Sequence, residues 1–338
     1  MSARRVAYVF PGQGSQKVGM GRAWAEVSAA ARATFAEADA VLGWPLTRLC
    51  WEGPEEELNL TANTQPALLA VSTAIHRALA AAEPPDGFAA APWPALPPPV
   101  AMAGHSLGEY SALVAAGALD FAEALHLVRR RGELMQEAVP VGQGAMAAVI
   151  GLEAEAVAAL AAEAAGDGQE VCAVANLNGP AQTVLAGHKE AIDLAVALAR
   201  ERGAKKATLL AVSAPFHSPL MRPAREAMAG LLERASFRDP RVPVVTNVDA
   251  APVTTAAAAR DALVRQIDSP VRWAESVLWM AERAGVGTFL EVGPGTVLTG
   301  LNRRIVPGTL CAGLGDPDLL RKFLSMGVPA GVGQEGGG

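Results

Sequence analysis

The sequence predicts an α/β protein in two parts: a large domain around a central, mostly parallel sheet, and a small ferredoxin-like α+β unit inserted into it. Two observations lead there. Short apolar runs at 6–10, 100–103, 242–246 and 288–292 alternate with longer alanine-rich helical stretches, the pattern of parallel strands joined by crossover helices. Between 139 and 212 the spacing tightens to strand, helix, strand, strand, helix, strand within about 70 residues, the order of a ferredoxin-like unit. The α/β alternation then resumes, so the small unit interrupts the large one. At 338 residues, 51% apolar and 18% charged, the chain can bury a core of this size.

In chain order, the run 6–10 ends at Pro11-Gly12-Gln13-Gly14, a strand followed by a glycine-rich loop. Residues 24–42 and 66–82 read as helices, the second with Pro66 near its start. The segment 83–99 carries Pro84-Pro85, Pro92, Pro94 and Pro97-Pro98-Pro99, which excludes regular helix and interior strand. The run 100–103 follows as a strand, then helices through 134. Within the small unit, 145–150, 171–176, 183–186 and 207–212 read as strands, and 154–165 and 189–202 as helices. Beyond it come a strand at 242–246, helices at 256–267 and 271–282, and a strand at 288–292. The glycine-rich tail from 327 is expected to fray.

Gly104-His105-Ser106-Leu107-Gly108-Glu109 is a G-x-S-x-G sequence placed where an apolar strand stops and a helix starts. Such a turn exposes the serine Oγ at a helix N-terminus, where unpaired N–H groups favour a developing negative charge. With 34 glycines in the chain, the same pattern can also be an ordinary glycine turn. A serine nucleophile needs a base, and five histidines are available. His76 and His126 fall in predicted helices and read as structural. His188 reads as a turn residue. His105 precedes the serine, so its side chain points away from Oγ and at most lines the pocket. His217 lies in a loop between prolines after a strand, which suits either a base or a structural loop residue. Gln13 offers an amide at the carboxyl edge of the sheet; the alternative is a plain glycine turn, and the loop lacks the spacing of a dinucleotide or P-loop site. Of Arg129-Arg130-Arg131 at most one or two can face a pocket, since successive helical side chains point about 100° apart. A buried member would bind a carboxylate, and a fully exposed run would bind nothing.

Bulk properties exclude several classes. A net charge of −6 and two short basic clusters give no footprint for nucleic acid. No apolar span reaches transmembrane length and no signal-peptide core precedes the first strand, so a soluble cytoplasmic protein is expected. Cys50, Cys172 and Cys311 are widely spaced and read as reduced thiols, with no metal-ligand cluster.

Taken together these residues closely resemble the malonyl-CoA:acyl carrier protein transacylases, loading enzymes of fatty-acid synthesis and relatives of polyketide-synthase acyltransferase domains. The resemblance runs from Val9-Phe10-Pro11-Gly12-Gln13-Gly14-Ser15-Gln16 to about Ile305. It includes Thr64-Gln65-Pro66-Ala67-Leu68, the Ser106 motif, Arg131-Gly132, Pro215-Phe216-His217-Ser218-Pro219-Leu220-Met221 and Glu291-Val292-Gly293-Pro294-Gly295. It implies an α/β-hydrolase-like catalytic domain of residues 1–138 and 213–326, a ferredoxin-like small domain of 139–212, and a disordered tail of 327–338. Ser106 would be the acylated nucleophile and His217 the general base, oriented by the backbone carbonyl of Gln266 in place of an aspartate. Gln13 and the backbone N–H of Leu107 would form the oxyanion hole, and Arg131 would pair with the malonyl carboxylate. Phe216 would crowd an α-methyl branch, while His105, Asn176 and Asn178 would stand near the pantetheine arm. The implied substrates are malonyl-CoA and holo-acyl carrier protein, with no bound cofactor or metal and a monomeric enzyme. The Pro-rich segment 83–99 is longer than the family carries there, and is expected to be a surface insertion close to the pocket rim. A thioesterase-like hydrolase and an inactive carrier-binding scaffold are the rival readings; the first has no use for Arg131, and intact Ser106, His217 and Gln13 argue against the second.

Overall fold

The computed structural model describes residues 5–81, 84–88 and 96–326. The expected tail at 327–338 lies outside them, as does much of the Pro-rich segment. Among the described residues there are ten strands: β1 (Arg5–Phe10), β2 (Ala101–Gly104), β3 (Gly144–Ile150), β4 (Cys172–Gly179), β5 (Gln182–His188), β6 (Lys206–Leu209), β7 (Val244–Val245), β8 (Pro252–Val253), β9 (Val286–Glu291) and β10 (Leu310–Gly313). They form two sheets. The larger has the order β10-β9-β1-β2-β7-β8, parallel throughout except for the β7–β8 pair. The smaller has the order β4-β5-β3-β6 and is antiparallel.

The central strands of the large sheet are buried on both faces, which is why 6–10 and 100–103 read as continuous apolar runs rather than alternating ones. The two faces differ in bulk. Tyr8, Phe10 and Met102 point to the main core with the helix Thr61–Ala80, while Ala7, Val9, Ala101 and Ala103 point to the other side. Small side chains there leave room for Trp273 and for the helices Trp273–Glu282 and Val297–Ile305. In the small sheet the helices Ala154–Ala165 and Lys189–Glu201 cover one face, and Met146, Val184 and Ala186 join the main core from the other. Val271, packed with the residues on the second face of the large sheet, bridges to β4 of the small one: its N–H donates to Ala175 O (2.8 Å) and its carbonyl accepts from Leu177 N (2.9 Å).

Several elements depart from the sequence expectation for local physical reasons. The stretch 24–42 is two helices, Arg22–Val27 and Ala29–Leu42, because Ser28 turns extended and caps the second by accepting from Ala31 N. The helix expected to begin at Pro66 begins a turn earlier, at Thr61. Proline inside a helix removes the N–H that would bond the carbonyl four residues back; here that carbonyl, Ala62 O, accepts from Arg129 Nη1 at 3.2 Å instead. The helices Arg222–Arg234, Val297–Ile305 and Pro317–Ser325 and the strands β8 and β10 were not anticipated. Val297–Ile305 carries no N-cap side chain of its own; the buried Glu291 carboxylate at the end of β9 accepts from Leu298 N (3.1 Å) and Thr299 N (2.7 Å).

Candidate active site

The residues 104–108 turn from β2 into the helix Gly108–Ala115 with almost no space to spare. A Cβ on Gly104 would lie 1.9 Å from the Gly108 carbonyl, and one on Gly108 would lie 2.1 Å from Phe10 O, so both positions require glycine. Ser106 sits between them at φ +49°, a left-handed conformation that a serine adopts only when its surroundings hold it there. Asn247, just beyond β7, does the holding. Its Oδ1 accepts from Ser106 N (2.7 Å) and its Nδ2 donates to Gly104 O (2.7 Å).

His217 arrives from the loop after β6, also at a positive φ of 59°. Its Nδ1 is 2.9 Å from the backbone carbonyl of Gln266, and its Nε2 is 2.7 Å from Ser106 Oγ. A carbonyl only accepts, so the proton resides on Nδ1 and Nε2 presents its lone pair to the serine hydroxyl. Burial, and secondarily the Arg131 charge, press the imidazole pKa down to about 3. His217 is therefore neutral, the form a base requires.

Arg131 is the member of the arginine run that turns inward, and it is 1% exposed. Arg130 points outward and Arg129 lies half-buried against the helix Thr61–Ala80, and both pair with Glu133. The Arg131 guanidinium donates to Gln65 Oε1 (2.7 Å), to Gln266 Oε1 (2.9 Å) and to Ser106 Oγ (3.2 Å), and it lies over the Tyr110 ring. These partners are all neutral. Its Nε meets no acceptor among the described residues, and no carboxylate touches the guanidinium, an arrangement suited to an anion beside the serine.

The three side chains open on a cavity of about 600 Å³, also lined by Gln13, Met146 and Phe216. Gln13 is fixed by its carbonyl end, which accepts from Thr61 Oγ1 at 2.8 Å; Thr61 Oγ1 accepts in turn from Gln65 Nε2 at 3.2 Å. The glycine-rich loop is thus linked through two side chains to Arg131. Among the described residues no protein acceptor takes the backbone N–H of Gln13 or Leu107. His105 and Asn176 line the cavity too. Asn178 stands behind His105, accepting from its Nε2 at 2.8 Å, and the His105 ring leans on Trp273. None of the described residues of the Pro-rich segment lines the cavity, and the rest of the segment lies outside the described residues. Asp86 N bonds Val27 O and Tyr8 Oη donates to Pro97 O, which ties the segment to other surfaces.

Four contributors escaped the sequence reading: Asn247, Glu109, Gln65 and Thr61. Glu109 and Gln65 stood inside motifs already noticed, but each was a polar residue on a helix with no visible partner. Asn247 had a faint signal, an amide directly after an apolar strand at the sheet's carboxyl edge.

A serine on a strained elbow, facing a neutral imidazole and an uncompensated guanidinium, suits covalent transfer of an acyl group that itself carries a negative charge. Comparison with known proteins gives the same class. Residues 7–306 match the acyl transferase domain family. The chain is 50% identical over 320 residues to the malonyl CoA-acyl carrier protein transacylase of Escherichia coli K12, covering 95% of this chain and 99% of that one. An acyl carrier protein S-malonyltransferase from Vibrio cholerae superposes with a TM-score of 0.88 at 48% identity, covering 94% and 99% of the two chains. The malonyl-transacylase of a complex with a type II PKS acyl-carrier protein superposes equally well, at 0.88 and 48% identity over 95% and 99%. The chain belongs to the acyl transferase family, in its malonyl CoA-acyl carrier protein transacylase branch.

Proposed function

We propose that this chain moves a malonyl group from malonyl-CoA to the phosphopantetheine thiol of acyl carrier protein, through a malonyl ester on Ser106. The observation that carries the reading is the placing of one oxygen, Ser106 Oγ, within 2.7 Å of the His217 base and 3.2 Å of the Arg131 guanidinium. The malonyl carboxylate takes Arg131 as its counter-ion, which sets the thioester carbonyl against Oγ. His217 Nε2 accepts the hydroxyl proton as Oγ attacks the carbonyl carbon. The oxygen that becomes negative is met by the N–H groups of Leu107 and Gln13, each such donor contributing about 3 kcal/mol in comparable sites. The carbon–sulfur bond then breaks, His217 returns the proton to the departing CoA sulfur, and the carrier thiol reverses the sequence. Docking of the carboxylate also offsets one of the three causes that depress the His217 pKa, the Arg131 charge, so the base strengthens when the right substrate is present. Phe216, against His217 in the cavity wall, limits branching at the acyl α-carbon.

The same reading takes residues 139–212 as a ferredoxin-like domain inserted between 1–138 and 213–326 of an α/β-hydrolase-like domain. The strand order β4-β5-β3-β6 with two helices on one face supports it. Mass spectrometry after mixing with malonyl-CoA tests the function. An added malonyl group on the Ser106 peptide, absent from Ser106→Ala, is the expected result; an unmodified Ser106 overturns the reading.

A further inference from the structure

Glu109 follows Ser106 by three residues and is fully buried. One of its oxygens, Oε2, accepts from Asn247 N (2.8 Å) and from Gln266 Nε2 (2.9 Å), and the other, Oε1, has no hydrogen-bond partner among the described residues. Its two partners are the residues on which the site hangs. Asn247 clamps the Ser106 turn, and Gln266 holds His217 by its main chain and Arg131 by its side chain.

The Gln266 amide has two ends, and only one orientation satisfies both sides. Arg131 is purely a donor, so it must meet Oε1; Nε2 must then find acceptors, which Glu109 Oε2 and Ser106 O (3.1 Å) supply. Without an acceptor at Glu109 the amide loses its strongest reason not to rotate, and the carbonyl end no longer faces the guanidinium. We infer that Glu109, as a carboxylate, is a positioning residue for the acyl transfer proposed above: through Asn247 and Gln266 it aims the Ser106 turn and the Arg131 guanidinium at the same acyl group.

A proton on Glu109 weakens this arrangement. Oε2 already faces two N–H donors, so the proton has to reside on Oε1, where no acceptor waits for it, and the charge that strengthens both bonds is lost. Burial dominates its titration and lifts the pKa to about 7; of the charged groups that act on it, Arg131 pulls the value down and Asp249 pushes it up. Its protonation thus falls within the working range of an enzyme, whereas His217 titrates far below it.

The test is the rate of Ser106 acylation by malonyl-CoA and by acetyl-CoA, which has no carboxylate for Arg131, from about pH 5.5 to about pH 8.5. For the unaltered chain, malonylation should rise with pH through a midpoint near 7. Glu109→Gln should flatten that limb and lower malonyl kcat/KM at least tenfold, with a smaller loss for acetyl-CoA. A role confined to holding the fold would depress both donors together and leave the limb in the residual activity, and that outcome overturns the inference. A pH-independent rate in the unaltered chain overturns it without any variant. If the unaltered chain takes no malonyl group at all, the function proposed above falls, and this inference with it.

Discussion

In the function proposed here Arg131 decides what kind of acyl group the site accepts, because a buried guanidinium with no carboxylate in contact favours a substrate that brings one. Arg131→Ala should reduce malonyl kcat/KM by about 100-fold or more, the scale of losing a charge-assisted pair of bonds in a desolvated site. Transfer of acetyl groups should persist, and parallel assays with the two CoA esters check it. If malonyl transfer survives, the clamp lies elsewhere. On the same proposal Phe216, in the cavity wall, sets the second limit. Phe216→Ala should raise the ratio of methylmalonyl to malonyl transfer by about tenfold, the discrimination one hydrophobic contact commonly supplies; direct competition between the two CoA esters measures that ratio.

At the level of elements, the elbow works because three segments meet with no side chains between them. Gly108 lets its helix touch the β1 carbonyl edge at Phe10 O, and Gly104 lets the strand end touch the helix start. Gly108→Ala introduces a Cβ against backbone, which cannot yield like the tip of a flexible side chain. The helix should shift away from β1, moving Ser106 and Leu107 together. Expected results are a loss of about 2–4 kcal/mol in unfolding free energy, as for other overpacked core positions, and malonylation below about 1% of the unaltered rate. Denaturant unfolding and the adduct assay read the two effects separately. The helix Thr61–Ala80 shows the complementary device, in which a proline leaves a carbonyl free and an arginine from a neighbouring helix takes it.

For the whole molecule, burying ionisable groups ties stability to pH. His76, within the core beside Tyr8 and Phe10, is pressed down to about 4 by burial and then by Arg241 and Arg77; His217 is pressed to about 3. Below an unfolded value of 6.5 the unfolded chain binds protons at both positions that the folded chain refuses, so stability falls as pH drops. Glu109, raised to about 7, acts the other way, its burial costing stability as pH rises from 4.5. His105 is pressed down by burial as well and Glu291 is pressed up, so three histidines act against two glutamates and the histidines prevail between about pH 5 and about pH 6.5. Unfolding free energy should fall by roughly 2 kcal/mol from about pH 7 to about pH 5, a drop of about 3–5 °C in melting temperature. A melting temperature that stays level or rises on acidification would show that these groups are not buried as described. Among the described residues no helix is long and apolar enough to cross a membrane.

Legibility followed the range of the interaction. The parallel sheet, the order of elements around the small antiparallel sheet and the elbow were readable because each depends on neighbours in sequence: apolar runs, alternation, and glycines at fixed spacing. Ser106, His217, Gln13 and Arg131 could be singled out as residue types able to do the chemistry, although for each a structural reading stayed open from composition and spacing alone. What joins them could not be read that way. Gln266 meets Glu109 across 157 positions, Asn247 meets Glu109 across 138, and Arg131 meets Gln65 across 66. A glutamine in a helix looks the same in sequence whether it faces water or a guanidinium. The sequence by itself determined which groups were available and where the chain must turn tightly. Only the tertiary structure decided which arginine went inside and what it met there: two amide oxygens and a serine hydroxyl, all neutral, with no carboxylate in contact.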